Sequence, residues 1–250
     1  MFEDLSYPII FAHRGTSAHA PENTLASFEL ALSQGADAIE LDANLSADGE
    51  VVIIHDSTVD RTTDGHGRVA QLSLKELRSL DAGSFFSEKY RGEKIPRLEE
   101  VFETVGKKMF INVELKNSAS PRDPLVEKVC ALVKKHSMEK RIILSSFLTS
   151  DLKRAKRLLP EVPRGLLALD GWMGAWARSF EFSFGDYAAL HPYLTDVTKQ
   201  QIVRVHRLKR RVHVWTVNKA EDMARLINWG VDGIYTDDPQ LALRAIGRSL

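Results

Sequence analysis

The sequence predicts a (β/α)₈ barrel with a small insertion after its second strand. Three observations predict it. Short apolar, β-rich runs alternate with amphipathic helical stretches almost from end to end, which is the signature of a parallel α/β architecture. Eight such strands can be counted in a chain of 250 residues. Eight β/α units at that length favour a closed barrel over an open doubly wound sheet. No internal repeat or low-complexity segment divides the chain, so residues 1–250 read as one barrel domain.

The expected strands are 9–13, 38–42, 109–115, 141–145, 164–167, 188–191, 212–217 and 233–235. Helical stretches are expected at 24–33, 98–107, 124–136, 150–159, 198–209 and 221–229. The third of these intervals carries Leu125, Val126, Val129, Leu132 and Val133 on one apolar stripe, with the lone Cys130 among them as a buried structural thiol. After the second strand, residues 50–55 form a further extended run behind the Asp48-Gly49 turn. Turn-rich residues 56–94 then make the insertion, placed on the catalytic face. In the least regular unit, 168–187, Trp172, Trp176 and Phe180 recur every four residues. A helix packed on the barrel accounts for that spacing first, with a dimer face or a lipid contact as alternatives.

Composition excludes several classes. Lys plus Arg and Asp plus Glu both number 34, which argues against a broad nucleic-acid surface but leaves room for a local cationic pocket. No apolar run approaches the ~18–20 residues of a membrane span. The acidic start Met1-Phe2-Glu3-Asp4 lacks the basic and apolar regions of a signal peptide, so a cytoplasmic protein is expected.

The chemistry lies where the strands end. The first runs Ile10-Phe11-Ala12-His13-Arg14-Gly15, the second ends Glu40-Leu41-Asp42, and the third ends Glu114-Leu115-Lys116. Residues two apart on a strand share a face, so Glu40 projects with Asp42 and Glu114 with Lys116. Barrel enzymes build their sites at the C-terminal ends of the strands. Glu40, Asp42 and Glu114 there suit a hard divalent cation, Mg²⁺ or Ca²⁺ with Mn²⁺ also compatible, because an ion relieves their mutual repulsion. Salt bridges with Arg14 and Lys116 are the alternative. His13 and His55 each close an extended run near these acids and suit general acid–base work. Arg14 and Lys116 fit an anionic substrate such as a phosphate ester.

These residues fall within an ordered series: His13-Arg14-Gly15, Pro21-Glu22-Asn23-Thr24, Glu40-Leu41-Asp42, His55-Asp56, Asp60-Arg61-Thr62-Thr63, Leu80-Asp81-Ala82-Gly83, Glu114-Leu115-Lys116, Ser145-Ser146-Phe147, Trp215-Thr216-Val217-Asn218 and Gly233-Ile234-Tyr235-Thr236-Asp237. The series resembles that of the glycerophosphodiester phosphodiesterases, in particular their short cytosolic bacterial form. The resemblance implies a metal held by Glu40, Asp42 and Glu114, acid–base roles for His13 and His55, and substrate contacts from Arg14, Lys116, Phe147 and Trp215. It implies hydrolysis of small glycerophosphodiesters to sn-glycerol 3-phosphate and an alcohol. Ala18 and Asn117 depart from the usual pattern beside these residues and bear on loop shape and leaving-group preference. A lysophospholipid phosphodiesterase working at a lipid surface is the rival enzyme reading, motivated by the aromatic run, which also suits a homodimer. A silent binding barrel is the third, and it requires a missing ligand or histidine that this sequence does not lack.

Overall fold

The computed structural model describes residues 5, 7–116 and 123–248. Nine strands form one sheet: β1 (Ile9–Ala12), β2 (Ala38–Leu45), β3 (Val51–Ile53), β4 (Phe110–Leu115), β5 (Ile142–Ser146), β6 (Arg164–Ala168), β7 (Ala189–Pro192), β8 (Arg211–Val214) and β9 (Gly233–Thr236). All pair in parallel except β3, and the β1–β2 and β1–β9 pairings close eight of them into a barrel. Helices α1 (Leu25–Ser33), α4 (Leu125–Lys135), α5 (Thr149–Leu158), α7 (Lys199–Arg207), α8 (Ala220–Trp229) and α9 (Pro239–Ala245) cover the outside, with α2 (Leu74–Ser79), α3 (Leu98–Val101) and α6 (Phe182–Phe184) shorter.

Side-chain alternation along the strands divides two environments. Outward-facing Ile39, Leu41, Ile111, Val113, Ile142 and Leu144 pack under α3, α4 and α5 in one continuous core. Each such buried side chain contributes about 1.5–3 kcal/mol relative to exposure. Inward-facing Ile9, Phe11, Ala38, Ile143, Ala189 and Tyr235 plug the lower barrel. His213 and His191 join that plug, their rings 5.1 Å apart, with His213 5.0 Å from the Phe11 ring. Gly165 is required opposite them, since a Cβ there lies 2.2 Å from the His191 ring. The polar layer of the lumen sits above this plug.

Two local expectations are corrected. The eighth strand stops at Val214 rather than 217: Trp215 N–H still bonds Pro192, but Val217 N–H crosses to the Tyr235 carbonyl, so the chain has left the ladder. Helical turns do occupy 171–184, yet the rings at 172, 176 and 180 do not pack on the barrel. Trp172 is 87% exposed and Trp176 64%, because the inner face of this segment is carried by Gly174, Ala177 and Phe182 instead.

Between β3 and α3 the chain builds a small core of its own from Val52, Ile54, Val59, Val69, Leu77 and Ile95. A capping box between Ser73 and Glu76 starts α2 there, satisfying two otherwise free backbone donors. This layer holds residues 55–61 beside the barrel mouth through β3, which pairs antiparallel with β2.

Candidate active site

His13, Arg14, Glu40, His55, Glu114, Lys116, Phe147 and Trp215 all line one cavity of about 120 Å³ at the C-terminal ends of the strands, together with Asn112, Leu167 and Tyr235. Asp42 lies directly behind, 1% exposed. Parallel register explains the convergence: Glu40 pairs with Asn112, and Asp42 with Glu114, on adjacent β2 and β4.

The three acids Glu40, Asp42 and Glu114 bring one oxygen each within 4.8 Å of one another. Burial and the charges of Asp42 and Glu114 push the Glu40 carboxyl well above the usual carboxylate range. Burial raises Glu114 as well, although Lys116 opposes it. Asp42 moves the other way. Burial disfavours its charge, but Arg14, Lys116 and His55 outweigh that and hold it low. Two of three neighbouring carboxyls are thus disfavoured as anions, a conflict that a divalent cation removes. The buried Asn112 Oδ1 lines the same cavity with no hydrogen-bond partner, while its Nδ2 donates to Ser145 Oγ at 3.0 Å. Three clustered carboxylate oxygens beside an unpartnered amide oxygen fit Mg²⁺, Ca²⁺ or Mn²⁺ and suit zinc poorly.

The cations are held over these acids by local backbone geometry. Arg14 sits in the left-handed region at φ 56°, and its N–H donates to Glu40 Oε2 at 3.0 Å. Gly15 follows at φ +79°, where a Cβ would lie 2.3 Å from Ser27 Oγ, so only glycine lets the chain turn here. Arg14 Nη1 donates to Glu22 Oε1 at 2.9 Å, and its Nε lies 3.4 Å from Asp42. Lys116 Nζ lies 3.1 Å from Glu114 and 3.7 Å from Asp42. Burial pulls the Lys116 ammonium down, but these carboxylates outweigh it and keep it protonated.

Each cavity histidine is oriented by a carboxylate at Nδ1. His13 meets Asp237 at 2.7 Å and His55 meets Asp56 at 2.6 Å. That contact occupies one ring nitrogen and leaves Nε2 to exchange protons. Burial opposes ionisation of Asp237, yet hydrogen bonds from His13, Ser17 and Asn218 hold its carboxyl low. Arg61 binds Asp56 and also Glu22, holding Asp56 at about 2. A chain of charge-assisted bonds therefore runs from Arg14 through Glu22, Arg61 and Asp56 to His55. Opposite this charged wall, Phe147 packs edge-on against Trp215 at 5.7 Å, and Trp215 Nε1 donates to the His191 carbonyl at 2.8 Å. One half of the cavity suits a phosphate and the other an apolar or alcohol group.

Several supporting residues carried no role in the sequence reading: Glu22, Asn23, Asp56, Arg61, Asn112, Asn218 and Asp237. Asn23 donates from Nδ2 to Asp42 at 2.8 Å and accepts from its backbone N–H at 3.3 Å. Most lie inside the motifs quoted above, so the signal was position within a motif rather than residue type. Asn112 could have been found by parity, two residues before Glu114. His191 and His213 lie below the site, and His66 is exposed on the insertion. His19 faces Asp238 at 3.3 Å and lies outside the cavity lining. Ala18 N–H bonds the Asp237 carbonyl beside His13, and Asn117 lies outside the described residues. A second acidic group, Glu99, Glu103 and His136, lies on the outer flank, where Lys135 and His136 already satisfy Glu99.

Comparison with known proteins identifies the family. The model of the glycerophosphoryl diester phosphodiesterase family matches residues 13–241. A glycerophosphodiester phosphodiesterase of Caldanaerobacter subterraneus is 40% identical over 239 residues, covering 95% of this chain and 97% of that one. One from Bacillus subtilis is 35% identical, covering 92% and 83%. Among solved structures, an Oleispira antarctica phosphodiesterase in complex with the product sn-glycerol-3-phosphate matches with a TM-score of 0.89 at 36% identity, over 96% of this chain and 97% of that one. A glycerophosphodiester phosphodiesterase from Agrobacterium tumefaciens matches at 0.81 and 30% identity, over 94% and 99%. By extent and identity, this chain belongs to the glycerophosphoryl diester phosphodiesterase family and is an enzyme of that class.

Proposed function

We propose that the chain hydrolyses small, soluble glycerophosphodiesters, such as glycerophosphocholine or glycerophosphoethanolamine, to sn-glycerol 3-phosphate and an alcohol, with a divalent metal held by Glu40, Asp42 and Glu114. The observation that carries this reading is the meeting, around one cavity, of three clustered acids, two carboxylate-oriented histidines and two cations. The product bound to the Oleispira protein supports the choice of sn-glycerol 3-phosphate. When bound, a divalent ion supplies Lewis-acid neutralisation of the phosphate charge.

The protein's own groups do the rest. Arg14 and Lys116 stabilise charge that builds on the nonbridging oxygens. His55, kept in register by Asp56 and Arg61, takes the proton from the nucleophile. His13, backed by Asp237, delivers a proton to the departing alkoxide. Phe147 and Trp215 shelter the uncharged part of the ester. The reading includes residues 1–250 as one barrel domain with 56–94 inserted, and a cytoplasmic enzyme whose lone, buried Cys130 stays reduced.

The test is purified protein with glycerophosphocholine, with and without EDTA, assayed for glycerol 3-phosphate. Product formation that EDTA stops and added divalent metal restores is the expected result. No product with any divalent metal overturns the reading.

A further inference from the structure

Six of the eleven large hydrophobic side chains exposed among the described residues fall between 169 and 184. Trp172, Trp176, Phe180 and Phe184, spaced by four, form one stripe, with Phe180 57% and Phe184 85% exposed. The rings stack on each other: Trp176 on Phe180 at 5.2 Å and Phe180 on Phe184 at 6.3 Å. At 150–250 Å² per ring they present on the order of 500–700 Å² of apolar surface, at or above the largest patch of a typical monomer. The segment is not loose. Arg178 ties it down through the Leu169 and Gly171 carbonyls and Asp196.

What borders the stripe on its α7 side is cationic. On the α5 side the charge is compensated, Lys153 lying 3.7 Å from Glu181. On the α7 side, Arg204 donates to the Arg178 carbonyl, and a groove lined by Ala175, Ser179, Gln200 and Arg204 separates the two elements. Between Asp196 and Glu221 the sequence has seven Lys or Arg and no acid, in a chain that is neutral as a whole. Among the described residues, Arg157, Lys199, Arg204, Arg207 and Lys209 form no ion pair with a carboxylate. An anionic lipid surface suits both features: rings enter the interfacial layer while Lys and Arg meet the headgroups.

We propose that this flank seats the protein on an anionic phospholipid bilayer, with Trp172, Trp176, Phe180 and Phe184 in the interface and Lys199, Arg204 and Arg207 at the headgroups. Because the segment follows β6, whose Leu167 lines the cavity, docking holds that edge of the mouth at the lipid surface.

The test uses the full chain and extruded vesicles of phosphatidylcholine, alone or with about one third phosphatidylglycerol, read by co-sedimentation and by tryptophan fluorescence. Binding to the anionic vesicles should exceed binding to neutral ones by about tenfold or more and weaken at high salt. It should come with a blue shift. The pairs Trp172→Ser/Trp176→Ser and Lys199→Glu/Arg204→Glu should each lower binding by about tenfold or more, with unchanged thermal melts showing that they fold. Binding is read without turnover, so failure of the proposed reaction leaves this result standing. Absent wild-type binding to anionic vesicles overturns the proposal, as does undiminished binding of the tryptophan variant. A dimer in light scattering that this variant dissolves, without vesicle binding, assigns the face to a second copy and overturns it too.

Discussion

Replacing His13 by alanine tests which proton the cavity delivers. The His13 ring is 17% exposed and fixed by a 2.7 Å contact to Asp237, so it is oriented before substrate arrives. General acid–base groups contribute about 10²–10⁴-fold. A ring held this firmly belongs in the upper half, about 10³–10⁴-fold, or roughly 4–5.5 kcal/mol of barrier. That contribution is needed in proportion to how poorly the departing oxygen bears charge. Choline alkoxide leaves badly without a proton, whereas p-nitrophenolate leaves readily. His13→Ala should therefore lose about 10³–10⁴-fold in kcat/KM on glycerophosphocholine, yet stay within about tenfold of wild type on a glycerophospho-p-nitrophenyl ester. His55→Ala should be impaired on both, since activating the nucleophile is required whatever departs. Folding should survive, because Asp237 still accepts from Ser17 at 3.0 Å and Asn218 at 2.5 Å. The stability cost is then about 1–2 kcal/mol, a few degrees in Tm. Equal loss on both esters by His13→Ala refutes the general-acid role and points to phosphate or metal positioning; the reverse pattern exchanges the two histidines.

Alanine at Glu40, Asp42 or Glu114 should each abolish activity, but melts in EDTA should separate them. Relief of repulsion leaves Glu40→Ala as stable as wild type or more so, whereas Asp42→Ala strands Arg14 and Asn23, Glu114→Ala strands Lys116, and both lower Tm. Full activity in any one removes that residue from the site. Acid should destabilise the fold through the lumen histidines: burial holds His191 down to about 3 and His213 well below its ordinary value. The unfolded chain binds protons below about pH 6.5 that the folded one refuses, so stability is lost as pH falls from there toward the folded values. At about pH 5 this amounts to roughly 2 kcal/mol for His191. Urea melts at about pH 7 and pH 5 should show His213→Phe losing less stability than wild type, and an identical loss refutes the assignment. Gly15→Ala should cost roughly 2 kcal/mol or more and most activity, because φ +79° and Ser27 leave no room for Cβ; a wild-type kcat would show that Arg14 needs no such turn.

The barrel was legible because its determinants are local and periodic. All eight strands lie within a few residues of the apolar runs, and strand parity alone placed Glu40, Asp42, Glu114 and Lys116 in the lumen. Strand length was less legible at β8, where the departure of the chain from the ladder after Trp215 depends on partners in β7 and β9 rather than on its own sequence. The aromatic spacing at 172–180 carries no sign of which way it faces. A period of four fits a buried stripe and an exposed one equally, and Gly174 and Phe182 decide it by occupying the inner side.

By itself, then, the sequence determined the closed α/β barrel, the layer of acids at its mouth and the pairing of two histidines with two cations, since each follows from chain periodicity and motif order. Only the tertiary structure decided which carboxylate orients which histidine. Asp237 is 224 residues from His13, and Glu22 is 39 from Arg61. Contacts across such separations are set by barrel closure and by the packing of the insertion against β2, neither of which leaves a local pattern to read.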